Sequence, residues 1–388
     1  MRPLQTYWCA RGRAWRRRLV SSHVAWRKKR HAEVTVLEQG AAVTATATAL
    51  LNAGLQRSRW LALGLVLITA ALLVVGVMVG STGFESLRRL YTDPIAQQII
   101  WEIRMPRTLG AWLAGALLAL AGAVAQGLFR NPLADPYLLG SASGAALGAA
   151  LAMVLAGSTG MGMAWIERLG MTGMAFMGAA VAVMLTLLLA QGVQNTLRLL
   201  LAGVVVGVVL GALRDVLELG YPDILQSMKA FGLGSTAFVG WAACALMAGV
   251  WALCVMVAWM LSRVLDGLTL GEATANSLGL PLAPMRMGLI AVMALATGAA
   301  VAQTGLIAFV GLAAPHLVRS ICHVGQGRSL WLSTMMGGVL LLAADVLARG
   351  LIAPQELPVG VLTALVGGSY LLWLMHRRNQ DAGRGRGW

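Results

Sequence analysis

Successive runs of about twenty apolar residues restrict the fold of this chain more than any other feature. A helix needs about 20 residues to cross the hydrocarbon core of a bilayer, and only helices or closed barrels satisfy every backbone hydrogen bond there. The runs predict an all-α polytopic membrane protein with about ten transmembrane helices. The predicted spans are 60–80, 107–129, 138–156, 171–192, 197–219, 237–261, 285–304, 306–322, 331–350 and 358–376.

The composition agrees with a membrane protein and excludes some functions. Hydrophobic residues make up 58% of the 388 residues and charged residues 12%, which is too apolar for a soluble globular protein. The 47 glycines fit close helix packing in lipid. The chain has no GxxxxGK[ST] loop to hold phosphates, so it is not itself a P-loop ATPase. The four cysteines show no paired spacing, so no disulfide framework is predicted.

Basic residues cluster at both ends of the chain and predict its orientation. Residues 1–59 carry twelve Lys or Arg against two Glu, and residues 377–388 carry four Arg against one Asp. The positive-inside rule places both termini in the cytoplasm, which an even number of spans allows. Residues 1–59 are predicted to be a disordered basic extension, with binding to anionic lipid or a start codon assigned too early as alternatives. Residues 60–376 are the predicted transmembrane domain, and 377–388 are a basic cytoplasmic tail.

Charged residues interrupt two of the apolar runs. Asp345 lies inside one run, with Arg349 one helical turn later on the same face. This pair indicates either a functional intramembrane carboxylate or an internal contact that joins two helices. Arg214, Asp215 and Glu218 lie near the outer end of the fifth run, where charge facing lipid costs about 2.5–3.5 kcal/mol. Pore lining is therefore predicted for these three residues.

Two further polar groups have no standard pattern. His316, Cys322 and His323 match no zinc-site spacing and lack a carboxylate, so a structural role at a helix end is predicted and no metal site. The predicted topology also places an arginine cluster on the outer side, against the positive-inside preference, which suggests a docking surface for an acidic partner. The cluster contains Arg88, Arg89, Arg104 and Arg107.

The loop 262–284 is the longest structured segment predicted on the cytoplasmic side. Its GEATANSLG portion is typical of a short amphipathic helix, with Glu272 in the first turn and Gly279 as the stop. Ala275 and Leu278 share one face of that helix. Such a helix, lying parallel to the membrane, would offer a contact for a soluble partner.

Seven motifs, in the same order, resemble the FecCD family of ABC importer permeases, which includes the permeases for iron–siderophore complexes, haem and vitamin B12. The motifs are RMPR at 104–107, QGLFRNPLADPYLLG at 126–140, RLLLAG at 198–203, GEATANSLGL at 271–280, FVGLAAPHLVR at 309–319, ADVLAR at 344–349 and ELPVGVLTALVG at 356–367. The resemblance extends from about Trp60 to Met375 and leaves residues 1–55 outside.

The resemblance implies a permease subunit in the bacterial inner membrane that moves a metal chelate from periplasm to cytoplasm. It implies a homodimer of ten-helix subunits, two cytoplasmic ATPase subunits and a periplasmic substrate-binding protein, with no nucleic-acid partner. ATP and Mg would be bound by the partner ATPase, and this chain would bind no cofactor and carry no catalytic residue. An iron–siderophore complex is the first expectation for the substrate, and haem and cobalamin are the alternatives.

The resemblance also assigns roles to particular residues of this chain. Those implied to dock the binding protein are Arg104, Arg107 and Arg349. Those implied to contact the ATPase are Glu272, Ala275, Leu278 and Gly279. Those implied to form the cytoplasmic gate are Asn131, Leu133, Thr196 and Leu197, of which Leu197 departs from the family pattern because a small hydroxyl residue can stand there.

Two other function classes compete with the importer. An ion-coupled secondary carrier could use Asp345 as a proton relay, and it predicts transport without an ATPase. A membrane-embedded enzyme could use His316 and His323, but the sequence provides no paired general base for it.

Overall fold

The computed structural model describes residues 52–80, 83–84, 93–159, 164–193, 195–277, 279 and 281–383. The chain divides into two units, Met1–Arg57 and Ser58–Trp388. Of the first unit, only residues 52–57 are described, and they begin the first helix. The predicted extension up to residue 51 and the end of the basic tail, residues 384–388, lie outside the described residues, as do Arg88 and Arg89.

The first half of the described chain contains six helices and a small hairpin. The hairpin pairs β1 with β2 antiparallel, and Val79 lies opposite Phe84. In chain order the elements are α1 (Asn52–Met78), β1 (Val79–Gly80), β2 (Gly83–Phe84), α2 (Pro94–Ile99), α3 (Met105–Leu128), α4 (Ser141–Thr159), α5 (Ala164–Leu189) and α6 (Thr196–Gly220). A π-helical turn, Ile100–Arg104, joins α2 to α3, and a 3-10 helix, Pro136–Leu139, precedes α4.

The second half continues with eight helices. A 3-10 turn, Pro222–Ile224, leads into the first of them. They are α7 (Leu225–Leu233), α8 (Trp241–Met260), α9 (Ser262–Thr269), α10 (Glu272–Ser277), α11 (Leu282–Thr304), α12 (Val310–Ile321), α13 (Gln326–Gly350) and α14 (Val359–Gly383).

The all-α prediction is confirmed, and each predicted apolar run coincides with a helix. Within the described residues, 7 helices are long and apolar enough to cross a membrane, and α4 and α14 contain shorter apolar stretches. The run predicted at 306–322 differs, because α12 has only 12 residues and contains Pro315. A helix of that length spans about 18 Å, so α12 crosses only part of the hydrocarbon core.

Helix α3 lies at the centre of the bundle. Within the continuous helical segment Pro94–Leu128, 89% of the most apolar window is buried, and α3 packs against α8, α11, α12 and α13. Its sequence is apolar on all sides, as a helix without a lipid-facing stripe requires. The π-helical turn ends at Arg104, two residues before Pro106 in the first turn of α3, a position at which a helix tolerates proline. The segment therefore carries Arg104 and Arg107 into the interior without breaking.

Glycines allow the helices to approach closely at two crossings. A Cβ atom on Gly122 of α3 would lie 1.8 Å from the carbonyl oxygen of Gly311 in α12. A Cβ atom on Gly144 of α4 would lie 2.3 Å from the carbonyl oxygen of Gly178 in α5. Both distances are far below van der Waals contact, so only glycine fits at these crossings.

Candidate functional site

Charged and polar side chains form clusters at the two ends of the bundle. One group lies where α3 begins and α13 ends, and we call it the Asp345 cluster; it contains Arg107, Thr236, Asp345, Arg349 and Glu356. The other lies where α3 ends and α11 begins, and we call it the Glu272 cluster; it contains Arg130, Glu272 and Arg286.

The carboxylate of Asp345 is the centre of the first cluster and is completely buried. Its Oδ1 atom accepts hydrogen bonds from Nε and Nη2 of Arg107, both at 3.3 Å, and from the hydroxyl of Thr236 at 2.5 Å. Its Oδ2 atom accepts from Nη2 of Arg349 at 2.5 Å. Nη1 of Arg107 also lies 2.9 Å from Glu356. One buried carboxylate thus joins α3, α13 and the segment that follows α7.

Arginines of this end also satisfy the last carbonyl groups of α1. Nη1 of Arg349 donates to the carbonyl oxygens of Gly76 at 2.8 Å and of Val79 at 3.1 Å. Nη1 of Arg104 donates to the carbonyl oxygens of Val77 and Met78, both at 3.3 Å. The last carbonyls of a helix have no partner within the helix, and cations near them are favourable. The arginines therefore fix the end of α1 against α3 and α13.

The structure places the three arginines that the resemblance implied for docking inside this end of the bundle. Arg104, Arg107 and Arg349 are 5%, 8% and 1% exposed, and each donates to internal acceptors. Arg107 and Arg349 lie on α3 and α13, which pack against each other, and Arg104 ends the π-helical turn before α3. Docking of a binding protein by these residues stays a prediction. Of the two interpretations of Asp345 and Arg349, the geometry supports an internal contact that joins helices.

The Glu272 cluster joins three elements and is more accessible. Oε1 of Glu272 lies 2.6 Å from Nη2 of Arg286 in α11 and 3.9 Å from Nη2 of Arg130, which follows α3. Nη1 of Arg286 also donates to the carbonyl oxygen of Val193, in the turn after α5, at 3.3 Å. The side chains of Glu272 and Arg130 are 40% and 49% exposed, whereas that of Arg286 is 5% exposed.

The turns after α3 and α5 share one backbone motif. Arg130 N donates to the carbonyl of Gly127 and Asn131 N to that of Gln126; Gln191 N donates to Leu188 and Gly192 N to Leu187. These are the two bonds of a Schellman motif, which normally has glycine at its left-handed position. Here Arg130 and Gln191 hold that position, with φ of 49° and 57°. Non-glycine residues in this region carry strain.

Two of the predicted gate residues line a cavity beside these turns. The cavity has a volume of about 630 Å³ and is lined by Arg130, Ala190, Gln191, Asn195, Thr196, Leu197, Arg198 and Glu272. Leu197 is 72% exposed, and Asn195 caps α6 by accepting from Arg198 N at 3.2 Å. The structure thus brings Thr196 and Leu197 together with Glu272.

The other two predicted gate residues lie in the turn that follows Arg130. The Oδ1 atom of Asn131 accepts from Leu133 N at 2.9 Å, and both residues are exposed. Further along, Asp135 begins the 3-10 helix and accepts from Tyr137 N at 2.8 Å. Burial raises the pKa of Asp135, and the hydrogen bond from Tyr137 opposes that rise.

Helix α10 has one buried residue among the positions predicted to contact an ATPase. Ala275 is completely buried in the core, and its contact with an ATPase stays a prediction. Leu278 lies outside the described residues, and Gly279 is exposed with φ of 76°. The exposed face of the helix is formed by Ala273, Thr274, Asn276 and Ser277, none of which the sequence alone distinguished.

The remaining predicted polar groups form local contacts. Nη2 of Arg214 lies 2.6 Å from Asp215, and its Nε atom lies 3.2 Å from Glu218. Asp215 is 61% exposed at its side chain. Pore lining therefore stays a prediction for these three residues, which pair with one another in the isolated chain.

The histidine group is divided between different contacts. Nδ1 of His316 lies 2.8 Å from the hydroxyl of Tyr370, between α12 and α14. Cys322 is buried. Within the part of the chain that the structure describes, no three His, Cys, Asp or Glu side chains are grouped so that they could hold a metal ion.

Sequence reasoning missed four residues of the two clusters. Thr236 and Glu356 complete the Asp345 cluster, while Arg130 and Arg286 complete the Glu272 cluster. Arg286 was detectable as a cation just inside the apolar run 285–304, because such a residue needs a partner. Glu356 was detectable as the acidic residue that follows the apolar run containing Asp345.

Comparison with known proteins gives consistent results. The model of the FecCD transport family matches residues 63–377. The hemin transport system permease protein HmuU of Yersinia pestis is 38% identical, covering 83% of this chain and 97% of that protein. The vitamin B12 import system permease protein BtuC of Klebsiella pneumoniae is 37% identical, covering 85% and 95%. A solved structure described as an inward-facing conformation of a metal-chelate type ABC transporter has a TM-score of 0.73 and 30% identity, covering 81% and 98%.

Proposed function

The chain belongs to the FecCD transport family, and we propose that it is the transmembrane permease subunit of an ATP-binding-cassette importer for a metal chelate. The observation that carries this proposal is the match over nearly the full length of relatives that are permeases for hemin and vitamin B12. The multi-helix apolar bundle agrees with a multi-pass membrane protein. The substrate would move from periplasm to cytoplasm, and ATP hydrolysis would take place on a separate subunit.

The proposed complex contains two copies of this chain, two ATPase subunits and a periplasmic binding protein. The exposed face of α10 would contact the ATPase, because it is polar and lies beside the cavity that contains Thr196 and Leu197. These two residues, with Asn131 and Leu133, would form the gate at that end. The binding protein would dock at the opposite end, on surfaces held in place by the Asp345 cluster. Both termini would be cytoplasmic.

An ion-coupled secondary carrier has no comparable support. The carrier would need Asp345 to take up and release protons during transport. In the structure two arginines and a threonine donate to that carboxylate, so both of its oxygens are already engaged in contacts within the bundle. Transport that continues without the ATPase subunit would favour the carrier instead.

Uptake by whole cells tests the function and the substrate together. A strain that lacks this chain is offered labelled ferric siderophore, haem and cobalamin separately, with and without the restored gene and with the ATPase partner co-expressed. We expect restored uptake of one ligand, with an iron–siderophore complex as the first candidate. Loss of that uptake when the ATPase is inactivated would support the importer. Uptake of none of the three ligands, with the protein present in the membrane, would contradict the proposed substrate class.

A further inference from the structure

Glu272 is linked to both turns that carry the proposed gate, to one through Arg130 and to the other through Arg286. It is the first residue of α10, and its carboxylate lies between Arg286 and Arg130. Arg130 directly precedes Asn131, whereas Arg286 binds the turn that precedes Thr196. The sequence separates Glu272 from Arg130 by more than 140 residues, so only the fold brings the two turns to one carboxylate.

The contact with Arg286 is short, and its arginine side is buried. Nη2 of Arg286 lies 2.6 Å from Glu272 while Nη1 of the same guanidinium donates to the carbonyl oxygen of Val193 at 3.3 Å. The guanidinium is planar and holds its donors at fixed angles. A displacement of Glu272 is therefore transmitted to the turn after α5. Asn195, two residues after Val193, caps α6, so the start of α6 is connected to that turn.

The contact with Arg130 is longer and exposed. Nη2 of Arg130 lies 3.9 Å from Glu272, and the arginine side chain is 49% exposed. The backbone of Arg130 is fixed by the Schellman motif at the end of α3. The carboxylate has one close cation in this conformation and a second within reach.

Helix α10 is positioned to receive an external force. Its exposed residues face away from the bundle, and Ala275 anchors its inner face in the core. The Ala275 side chain and the Glu272 carboxylate connect α10 to the rest of the bundle. Among the described contacts, the carboxylate is the one that leads to the proposed gate turns, through Arg130 and Arg286.

We propose that Glu272 is a positioning residue that couples movement of α10 to both gate turns, through Arg286 to the turn before Thr196 and through Arg130 to the turn before Asn131. The proposal rests on the proposed importer function. It assigns a part of the transport machinery to Arg286 and Arg130, which have no role in the implied gate or in the implied ATPase contact.

The test uses the complex of this chain with its ATPase subunit in proteoliposomes, with binding protein and the ligand identified by uptake. The variants are Glu272→Gln, Arg286→Met, Arg130→Met and the exchanged pair Glu272→Arg with Arg286→Glu. Asp266→Asn is the matched control, because Asp266 is exposed at the same end of the bundle as Glu272 and contacts the start of α13, where the amide keeps the oxygen that accepts from Gln326 N. ATP hydrolysis and uptake are measured on the same samples. Hydrogen exchange of segments 187–193 and 126–134 is measured in parallel.

We expect Glu272→Gln to lower the ratio of ligand transported to ATP hydrolysed by at least about tenfold, a typical size for coupling between sites, while hydrolysis continues. Exchange in both segments should accelerate. Arg286→Met should affect segment 187–193 most, and Arg130→Met segment 126–134. The exchanged pair should recover a large part of the ratio, and the control should match the unchanged chain.

Two results would overturn the proposal, and they differ from failure of the proposed function. An unchanged transport ratio in Glu272→Gln, with active unchanged protein, shows that Glu272 does not couple. Unchanged hydrogen exchange in both segments shows that the carboxylate does not hold the turns. If the unchanged complex hydrolyses ATP without moving any ligand, the proposed function is wrong, whatever the exchange measurements show.

Discussion

Replacing Asp345 by asparagine should destabilise the bundle by about 3–5 kcal/mol, the cost of breaking a buried ion pair by removing one partner. In the structure the carboxylate accepts from two arginines and one threonine. Asparagine has one acceptor oxygen instead of two. Its NH2 group is a donor, so it cannot accept a hydrogen bond from an arginine. Arg107 would still have Glu356, but Arg349 would keep only carbonyl and hydroxyl acceptors for its charge.

The expected loss of stability is large because the charge of Arg349 would stay buried without its carboxylate partner. The side chain of Arg349 is 1% exposed, so water cannot replace the lost carboxylate. Glu356→Gln is the matched control, because its side chain is 26% exposed. An ion pair that water reaches contributes about 1 kcal/mol or less. The double variant Arg349→Met with Asp345→Asn should lose less free energy of unfolding than the two single variants together. The difference should be about 1–3 kcal/mol, because both charges are then absent.

Unfolding in mixed micelles can be followed by the reaction of a thiol dye with Cys244, Cys254 and Cys322, which are buried in the folded bundle. A Cys9→Ser background restricts the signal to these three thiols. If the free energy of unfolding of Asp345→Asn lies within about 1 kcal/mol of that of the unchanged chain, the cluster does not hold the helices as described. If it is stable but loses stimulation by the binding protein, direct docking at this end would again be the better interpretation.

Three further predictions use the same unfolding assay. Gly122→Ala should destabilise the bundle by about 3 kcal/mol or more, because the new Cβ meets backbone that cannot move aside. Gly249→Ala is the control and should be neutral, because a Cβ added there has no neighbour within 4 Å. Equal effects of the two substitutions would refute the close crossing. Gln191→Gly should stabilise by about 1 kcal/mol, because glycine adopts the left-handed conformation without strain; a loss of stability would contradict the strained turn. Burial raises the pKa of Asp135, so folding binds a proton there and stability falls as pH rises from about 4 through the raised pKa. Asp135→Asn keeps the oxygen that accepts from Tyr137 and should therefore stabilise at pH 8, by an amount that shrinks towards pH 4; destabilisation at pH 8 would refute this.

The sequence predicted the helices well because each span in lipid must satisfy its own backbone hydrogen bonds. A run of apolar residues is then sufficient to locate a helix, as for α6 and α8. The start of α12 was predicted too early, because residues 305–309 are not helical and the helix begins only at Val310, although it continues through Pro315.

The sites were harder to predict because their residues meet only through the fold. The motif around Glu272 was recognisable, but its partners lie in the turn after α3 and in α11. The arginines of RMPR looked exposed, since the predicted topology placed them at a membrane surface. In the structure both are buried where the π-helical turn Ile100–Arg104 joins α3, and a periodicity of 3.6 residues does not predict such a turn.

The difference in burial between the two clusters indicates which end of the bundle can move. Breaking the contacts of Asp345 would leave charge in an interior that water does not reach, so that end is held together strongly. At the other end the side chains of Glu272 and Arg130 are 40% and 49% exposed, and water can solvate either charge during an exchange of partners. Helix α3 passes between both clusters and is buried almost throughout, so it cannot bend easily to absorb a displacement. Rearrangement within this chain should therefore begin at the Glu272 end, where α10 meets the turns, while the Asp345 end moves as a rigid unit.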